Sequence, residues 1–175
     1  SKKFGRLTLE KVMEPAVTYA REGYPVSPVI SKLWNNAYKE FSGTLKDECF
    51  KPWFDTFARD GHAPQPGEIW KSEAHAKTLE KIAKTHAKAF YQGELGDQID
   101  AYSRKTGGYL RKSDLENYWC EWVKPIHVNY RGYDICEIPP NGDGIIALMA
   151  LNILKGYSFT DRSCVDTVHK QLEAM

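Results

Sequence analysis

Five histidines are the first place to look for chemistry, because imidazole serves both as a metal ligand and as a general base. They are His62, His75, His86, His127 and His169. None is spaced as HxH or HxxxH. His75 and His86 fall on one face of a predicted helix, but about 16 Å apart at the helical rise, too far to share an ion. His127 lies in a predicted strand and could act as base to a serine, yet nothing in the sequence singles out which. No GxSxG elbow is present, and no Ser-x-x-Lys stands at a helix start with supporting partners. Asp97 and Asp100 are three residues apart on a predicted helix, which reads as a solvated face rather than an acid–base pair. Cys49, Cys120, Cys136 and Cys164 include no CxxC pair, so neither a zinc site nor a redox motif is expected. Their even number permits disulfides; free thiols in partly buried positions are the simpler reading.

Lys77, Lys81, Lys84 and Lys88 make a stripe at helical spacing that could track a phosphate backbone. It lies away from the apolar stripe of the same helix, and Glu73 and Glu80 dilute it, so it reads as a solvated face. The most unusual local feature is the run Pro139-Pro140-Asn141-Gly142-Asp143-Gly144. Its glycines let the chain leave a strand and enter a helix. The backbone N–H groups at that helix start could also hold an anion. Both the structural and the anion-binding role stay open. No cofactor and no metal is expected from any of these patterns.

The elements that must position these residues are mostly helical. Thr8 caps a helix carrying Leu9, Val12, Met13, Ala16, Val17 and Ala20 as one apolar stripe, with Pro15 expected to kink it. Ser27-Pro28 restarts a helix as N-cap and N1, with a stripe of Val29, Ile30, Leu33, Trp34, Ala37 and Tyr38. These two are expected to pack as a helical hairpin over residues 1–41. Residues 42–71, broken by Pro52, Gly61, Pro64, Pro66 and Gly67, read as irregular around a short helix near 53–57. From 72 to 120 helices return. One begins at Ser72, carries Ala76, Leu79, Ile82, Ala83, Ala87 and Phe90, and ends at Gly93. A second runs over 94–105. A third opens with the capping box Ser113-Asp114-Leu115-Glu116.

The period then changes to two. Ile126, Val128 and Tyr130 alternate with polar residues, and Arg131-Gly132 precedes a second alternating run, so residues 121–140 hold a β-hairpin. Residues 141–175 read as a helix, apolar nearly all round from Ile145 to Leu154 and so buried on most sides, followed by a helix whose pattern stops without a closing signal. The expected fold is mainly α with one β-hairpin, in a single helical region over 1–175.

Composition adds exclusions. The 175 residues are 42% hydrophobic and 13% aromatic, which is ordinary for a folded protein. With 24 basic and 23 acidic residues the net charge is +1, so no global field draws nucleic acid or a membrane surface. The apolar run at 144–154 is too short to span a bilayer. The start, Ser1-Lys2-Lys3-Phe4-Gly5, has neither Met nor an apolar signal region. The expectation is a chain cut from something longer, its compartment left open between cytoplasm and periplasm or exterior.

The order of segments resembles the γ-glutamyltranspeptidase family. The matching runs begin with Phe4-Gly5-Arg6-Leu7-Thr8-Leu9-Glu10, Pro15-Ala16 and Ala20-Arg21-Glu22-Gly23-Tyr24-Pro25-Val26-Ser27. They continue through Pro66-Gly67-Glu68, Thr78-Leu79-Glu80-Lys81-Ile82-Ala83 and Ala89-Phe90-Tyr91-Gln92-Gly93-Glu94. Gly107-Gly108-Tyr109-Leu110, Asp114-Leu115 and Tyr130-Arg131-Gly132-Tyr133 follow. Pro139-Pro140 with Gly144, Leu151-Asn152-Ile153-Leu154 and Glu173-Ala174-Met175 complete the set. Each run alone is ordinary; their shared order carries the signal.

The resemblance implies the helical later part of the large subunit of an αββα N-terminal nucleophile hydrolase. Such a precursor cleaves itself, and a new N-terminal Thr on the small subunit attacks a γ-glutamyl amide of the glutathione type. That Thr would lie beyond Met175, and the Arg that grips the substrate carboxylate before Ser1. No catalytic residue is therefore carried onto this chain. The implied partners are the rest of the large subunit, the small subunit and a γ-glutamyl substrate. Two alternatives stand beside this. One is a non-catalytic helical interaction module. The other is an acylase for glutaryl-type side chains, raised because family members read Pro-Pro-x-Ser-Ser-Gly-Gly where this chain has Asn141-Gly142-Asp143-Gly144-Ile145. By itself the piece is expected to self-associate through its hairpin or the helix after it.

Overall fold

The computed structural model describes residues 1–175, which divide into two compact units, 1–118 and 119–175. The first unit begins with α1 (Leu9–Glu22), β1 (Tyr24–Pro25), α2 (Pro28–Thr44) and α3 (Lys51–Phe57). β2 (Ile69–Trp70), α4 (Glu73–Thr85), α5 (Lys88–Tyr91), α6 (Glu94–Lys105) and α7 (Lys112–Glu116) complete it. The second holds β3 (Ile126–Tyr130), β4 (Tyr133–Glu137), α8 (Gly144–Leu154) and α9 (Val165–Glu173). The chain is mainly helical, with two small antiparallel strand pairs.

The predicted caps form. Thr8, Ser27 and Ser72 each accept a backbone N–H three residues on, at 3.3, 3.3 and 3.4 Å. Each satisfies one of the donors a helix start leaves open. α1 closes at Gly23, whose φ of +98° suits glycine. A Cβ there would also lie 2.5 Å from Ile69 Cγ2, so the close approach of β2 needs glycine as well. The β1–β2 pair (Tyr24↔Trp70, Pro25↔Ile69) then ties the end of α1 to the start of α4. Val26 beside it is 1% exposed.

That tie sets the partner of α1. α1 and α2 do not form the expected helical hairpin; α1 packs on α4 instead. The β-pair and the bond from Ser72 N–H to the Ala20 carbonyl (2.6 Å) bring these two helices together. α1 also runs unbroken through Pro15. The buried stripe of α2 is displaced as well. Ser31 is buried and Trp34, Asn35 and Tyr38 half-buried, while Val29, Ile30 and Leu33 face outward. The Ser31 hydroxyl donates to the Pro64 carbonyl at 2.8 Å, and Trp34 Nε1 donates to the Phe57 carbonyl at 2.7 Å. Hydrogen bonds to the 57–64 segment, together with the packing of Trp34 and Tyr38 on the rings of Phe57 and Phe54, accompany this rotation of α2.

Residues 42–71 carry more structure than their Pro and Gly content implies. α3 presents Trp53, Phe54 and Phe57 to Phe41, Tyr38 and Trp34 of α2, with ring centroids 4.9–6.4 Å apart. Trp70 of β2 stacks on Phe57 at 6.1 Å and leans on Trp34 at 5.5 Å. This aromatic cluster is the side-chain core of that part of the unit.

Two further helix boundaries differ. The helix from Ser72 stops at Thr85, because His86 (φ +48°) and Ala87 (φ +67°) are both left-handed, and α5 starts afresh. The Ala87 N–H returns to the Ile82 carbonyl at 2.9 Å, closing α4 in the way glycine usually does. The capping box also starts two residues earlier than read: α7 begins at Lys112, and the Asp114 carboxylate accepts the Arg111 N–H at 2.7 Å.

In the second unit the hairpin pairs Ile126 with Glu137, Val128 with Ile135 and Tyr130 with Tyr133. Its turn needs two positive φ values, and Gly132 (+88°) supplies only one; Arg131 (+53°) takes the other. Arg131 is held there by lying over the rings of Tyr130 and Phe159, each 5.1 Å from its guanidinium. α8 packs on β3 and β4 and buries Leu148 and Leu154, while its opposite face is open in this chain.

Candidate functional site

The segment from Glu137 to Ile146 joins the hairpin to α8 and contains the loop singled out from sequence. Pro139 is half-buried, and Pro140, Asn141, Gly142 and Asp143 are exposed. Asp143 is the residue before α8 and makes no side-chain cap; its carbonyl accepts the Ile146 N–H at 2.9 Å. The Glu137 side chain folds back across the loop. A Cβ built on Gly144 would lie 2.7 Å from Glu137 Cδ and 2.8 Å from its Cγ. The absence of a side chain at Gly144 is what lets this carboxylate reach the first residue of α8. Glu137 was not singled out from sequence. Its signal is its place as the last residue of β4, one residue before the pair Pro139-Pro140.

The remaining candidates are dispersed. His75 Nδ1 lies 2.8 Å from the Ser72 hydroxyl, a contact that sequence reading missed. Ser72 is 2% exposed and caps α4, so its oxygen serves the helix start rather than an incoming carbonyl. His62 Nδ1 meets the Ala63 carbonyl, His86 is an exposed left-handed C-cap, and His127 sits in β3. No group of three or more His, Cys, Asp or Glu side chains converges to hold an ion. The four cysteines are free, with Cys49 and Cys164 half-buried and Cys120 and Cys136 exposed. Asp97 pairs with Lys112 at 2.6 Å. Asp100 pairs with Arg104 at 2.7 Å and accepts the Lys112 N–H. The Arg104 guanidinium, followed by that N–H, holds the Asp100 carboxyl below its usual range. In the lysine stripe, Lys81 pairs with Glu94 at 3.0 Å.

The main charged cluster is an ion-pair group between α1 and α4. Arg21 meets Glu80 at 2.9 Å and Glu73 at 3.1 Å, which raises the guanidinium further above its already high value. Glu80 is held below its ordinary range, first by the Arg21 hydrogen bond. Both sides of this group are matched and solvated, so it has a structural role. No helix in the chain is long and apolar enough to cross a membrane.

Comparison with known proteins places these features. The sequence model of the family described as gamma-glutamyltranspeptidase matches residues 1–175. The glutathione hydrolase-like YwrD proenzyme of Bacillus subtilis (strain 168) is 34% identical over 176 residues, covering 99% of this chain and 32% of that protein. Among solved structures, the cephalosporin acylase from Bacillus halodurans is 52% identical with a TM-score of 0.96, covering 99% of this chain and 32% of that one. The Helicobacter pylori γ-glutamyltranspeptidase is 31% identical with a TM-score of 0.86, covering 99% and 49%. The chain thus spans about a third of the length of the curated relatives it matches.

Proposed function

This chain belongs to the gamma-glutamyltranspeptidase family, and on that premise we propose that it is part of the large subunit of an amide-cleaving acyl-transfer enzyme of the N-terminal nucleophile type. The observation that carries the reading is the match along the whole chain to a family with members about three times as long, which leaves further polypeptide to carry the nucleophile. The Ser72–His75 contact does not fill that role, because its oxygen is buried in a helix cap.

In this reading the helices of the chain contribute to the α layers of an αββα sandwich, and the nucleophile lies on polypeptide outside it. The hydroxyl of an N-terminal Thr attacks the amide carbonyl and its own α-amine takes the proton. Backbone donors hold the oxyanion. The proton passes to the departing amine, and the ester that remains gives its acyl group to water or to a second amine. The 139–144 loop acts as a structural turn, with the Glu137 carboxylate of the same chain seated at the α8 start where helix polarity favours a negative group.

The first substrate class is a γ-glutamyl amide. A glutaryl-type amide is the second, favoured by two observations. The loop has Gly142 and Asp143 where the resemblance places the family's two serines. The 52% identity is to a protein named as a cephalosporin acylase. A glutaryl group shares the carbon skeleton and end carboxylate of the γ-glutamyl group but lacks its α-amine. The test is kcat/KM of the complete gene product on a γ-glutamyl anilide and on the matching glutaryl anilide. A preference of about tenfold or more, which is roughly 1.4 kcal/mol of transition-state discrimination, assigns the class. Absence of turnover on both overturns the enzymatic reading and leaves a helical interaction module.

A further inference from the structure

Nothing in the sequence from Lys84 to Ala89 stops a helix. The run is Lys-Thr-His-Ala-Lys-Ala, without Gly or Pro, and the apolar stripe of α4 continues through Ala87 to Phe90. The chain nevertheless bends there. His86 (φ +48°) and Ala87 (φ +67°) are consecutive left-handed residues, a conformation in which Cβ crowds the following carbonyl. Asp60 and Arg131 also have positive φ, but each is followed by a glycine. At 86–87 two side chains share the strain.

A small set of contacts holds the bend. The Thr85 hydroxyl accepts the Ala89 N–H at 3.0 Å, standing in for the helix carbonyl that the bend removes. Tyr91 stacks on Tyr118 with ring centroids 5.8 Å apart. Lys81 pairs with Glu94 at 3.0 Å and so ties α4 to the start of α6 across the bend. A Cβ on Gly93 would lie 3.0 Å from Ala89 Cα, and one on Gly96 would lie 2.9 Å from the Phe90 carbonyl oxygen. α6 reaches α5 this closely because neither position carries a side chain. From α5, the Phe90 ring forms one wall of an open groove with Leu95, Ile99, Tyr102 and Leu110.

We infer that the His86–Ala87 bend is a strained hinge and that α5 is a gate mounted on it. Residues 86–92 are the first part of the 1–118 unit to open. They open as His86 and Ala87 relax to the right-handed helix, which joins α5 to α4 and carries Phe90 out of the groove wall. Residue type sets this direction: alanine and lysine are strong helix formers, and the left-handed conformation is costly for both residues of the bend. Local preference and tertiary contacts therefore oppose each other here, unlike at the helix caps, where they agree.

Hydrogen exchange of the complete gene product, read by mass spectrometry on the peptide covering residues 86–92, tests the hinge. In the unsubstituted protein this peptide exchanges faster than those covering α1 and α6. Two substitutions at one position move it in opposite directions. His86→Gly relieves the left-handed strain and weakens the straight helix, so exchange slows by about fivefold or more. His86→Ala keeps the strain and strengthens the straight helix, so exchange quickens by about two- to threefold. Thr85→Val removes the acceptor of the Ala89 N–H at nearly constant shape and quickens it as well. Exchange across α1 stays within about a factor of two in all three, which separates a local hinge from a change in global stability. A peptide 86–92 no faster than its neighbours overturns the inference. So does faster exchange in His86→Gly, which means an unstrained bend, or unchanged exchange in His86→Ala, which means opening to an irregular chain. A His86→Gly product that fails to fold overturns it too, because relief of strain does not unfold a protein.

Discussion

The Glu137 side chain lies against Gly144, so closely that a methyl group on Gly144 would come within 2.7 Å of Glu137 Cδ. Gly144→Ala alone should change stability by less than about 1 kcal/mol, because the gain in helix propensity offsets displacement of a flexible carboxylate. In a Glu137→Ala background the same change should stabilise by about 0.5–1 kcal/mol. A double-mutant cycle from denaturant melts measures the difference. Additive effects would show that the two residues do not meet.

Trp70 carries a contrast of its own. It stands among Trp34, Phe57, His75 and Tyr24, and its Nε1 is buried without a hydrogen-bond partner. Trp70→Ala should cost about 3–5 kcal/mol through the cavity it leaves. Trp70→Phe should cost less than about 1.5 kcal/mol, because the loss of ring area is offset by removal of an unpaired donor. Equal losses in thermal melts would mean that the N–H has a partner.

Ser31 tests the hydrogen bonding that accompanies the rotation of α2. Its hydroxyl is buried and donates to the Pro64 carbonyl at 2.8 Å. Ser31→Ala should cost about 1 kcal/mol or more, since it leaves that carbonyl with only the Asn35 amide, 3.5 Å away. Leu33→Ala, on the exposed face, should cost less than about 0.5 kcal/mol. The reverse order would restore the stripe read from sequence.

Those contrasts show where sequence reading stops. Thr8, Ser27 and Ser72 were legible as caps because a cap is a local device, written within four residues. The hairpin was legible because period two and an Arg-Gly turn are also local. The pairing of α1 with α4 was not, since it depends on the two-residue β1–β2 contact between segments far apart in sequence, Tyr24 with Trp70 and Pro25 with Ile69. The break at His86-Ala87 was invisible because neither residue is a glycine. The rotation of α2 goes with a hydrogen bond to the Pro64 carbonyl that no periodicity records. At the candidate loop, Pro139 to Gly144 stood out by composition, whereas Glu137 became visible only once the strand end and the helix start were placed together.

The Arg21 group predicts a pH dependence. Arg21 holds the Glu80 carboxyl below its ordinary value of 4.5, so the folded chain resists protonation there more than the unfolded chain does. A lowered folded-state pKa adds stability that is fully present above the unfolded value and is lost as pH falls through the folded one. The parent chain should therefore be more stable than Glu80→Gln at pH 7, and the gap should close on acidification below 4.5. Added salt should narrow it too, because the pair is solvated. A gap unchanged from neutral to acid would contradict the ion-pair role.

The proposal that this chain belongs to an acyl-transfer enzyme whose nucleophile lies outside it can be tested by one assay. The direct measurement is release of the chromophore from γ-glutamyl and glutaryl anilides by the purified 175-residue chain and, side by side, by the complete gene product. The expected result is no turnover by the chain above a mock purification, and clear turnover of at least one anilide by the complete product. Turnover by the 175-residue chain alone, abolished by substitution of a residue within it such as Ser72→Ala, would contradict the claim.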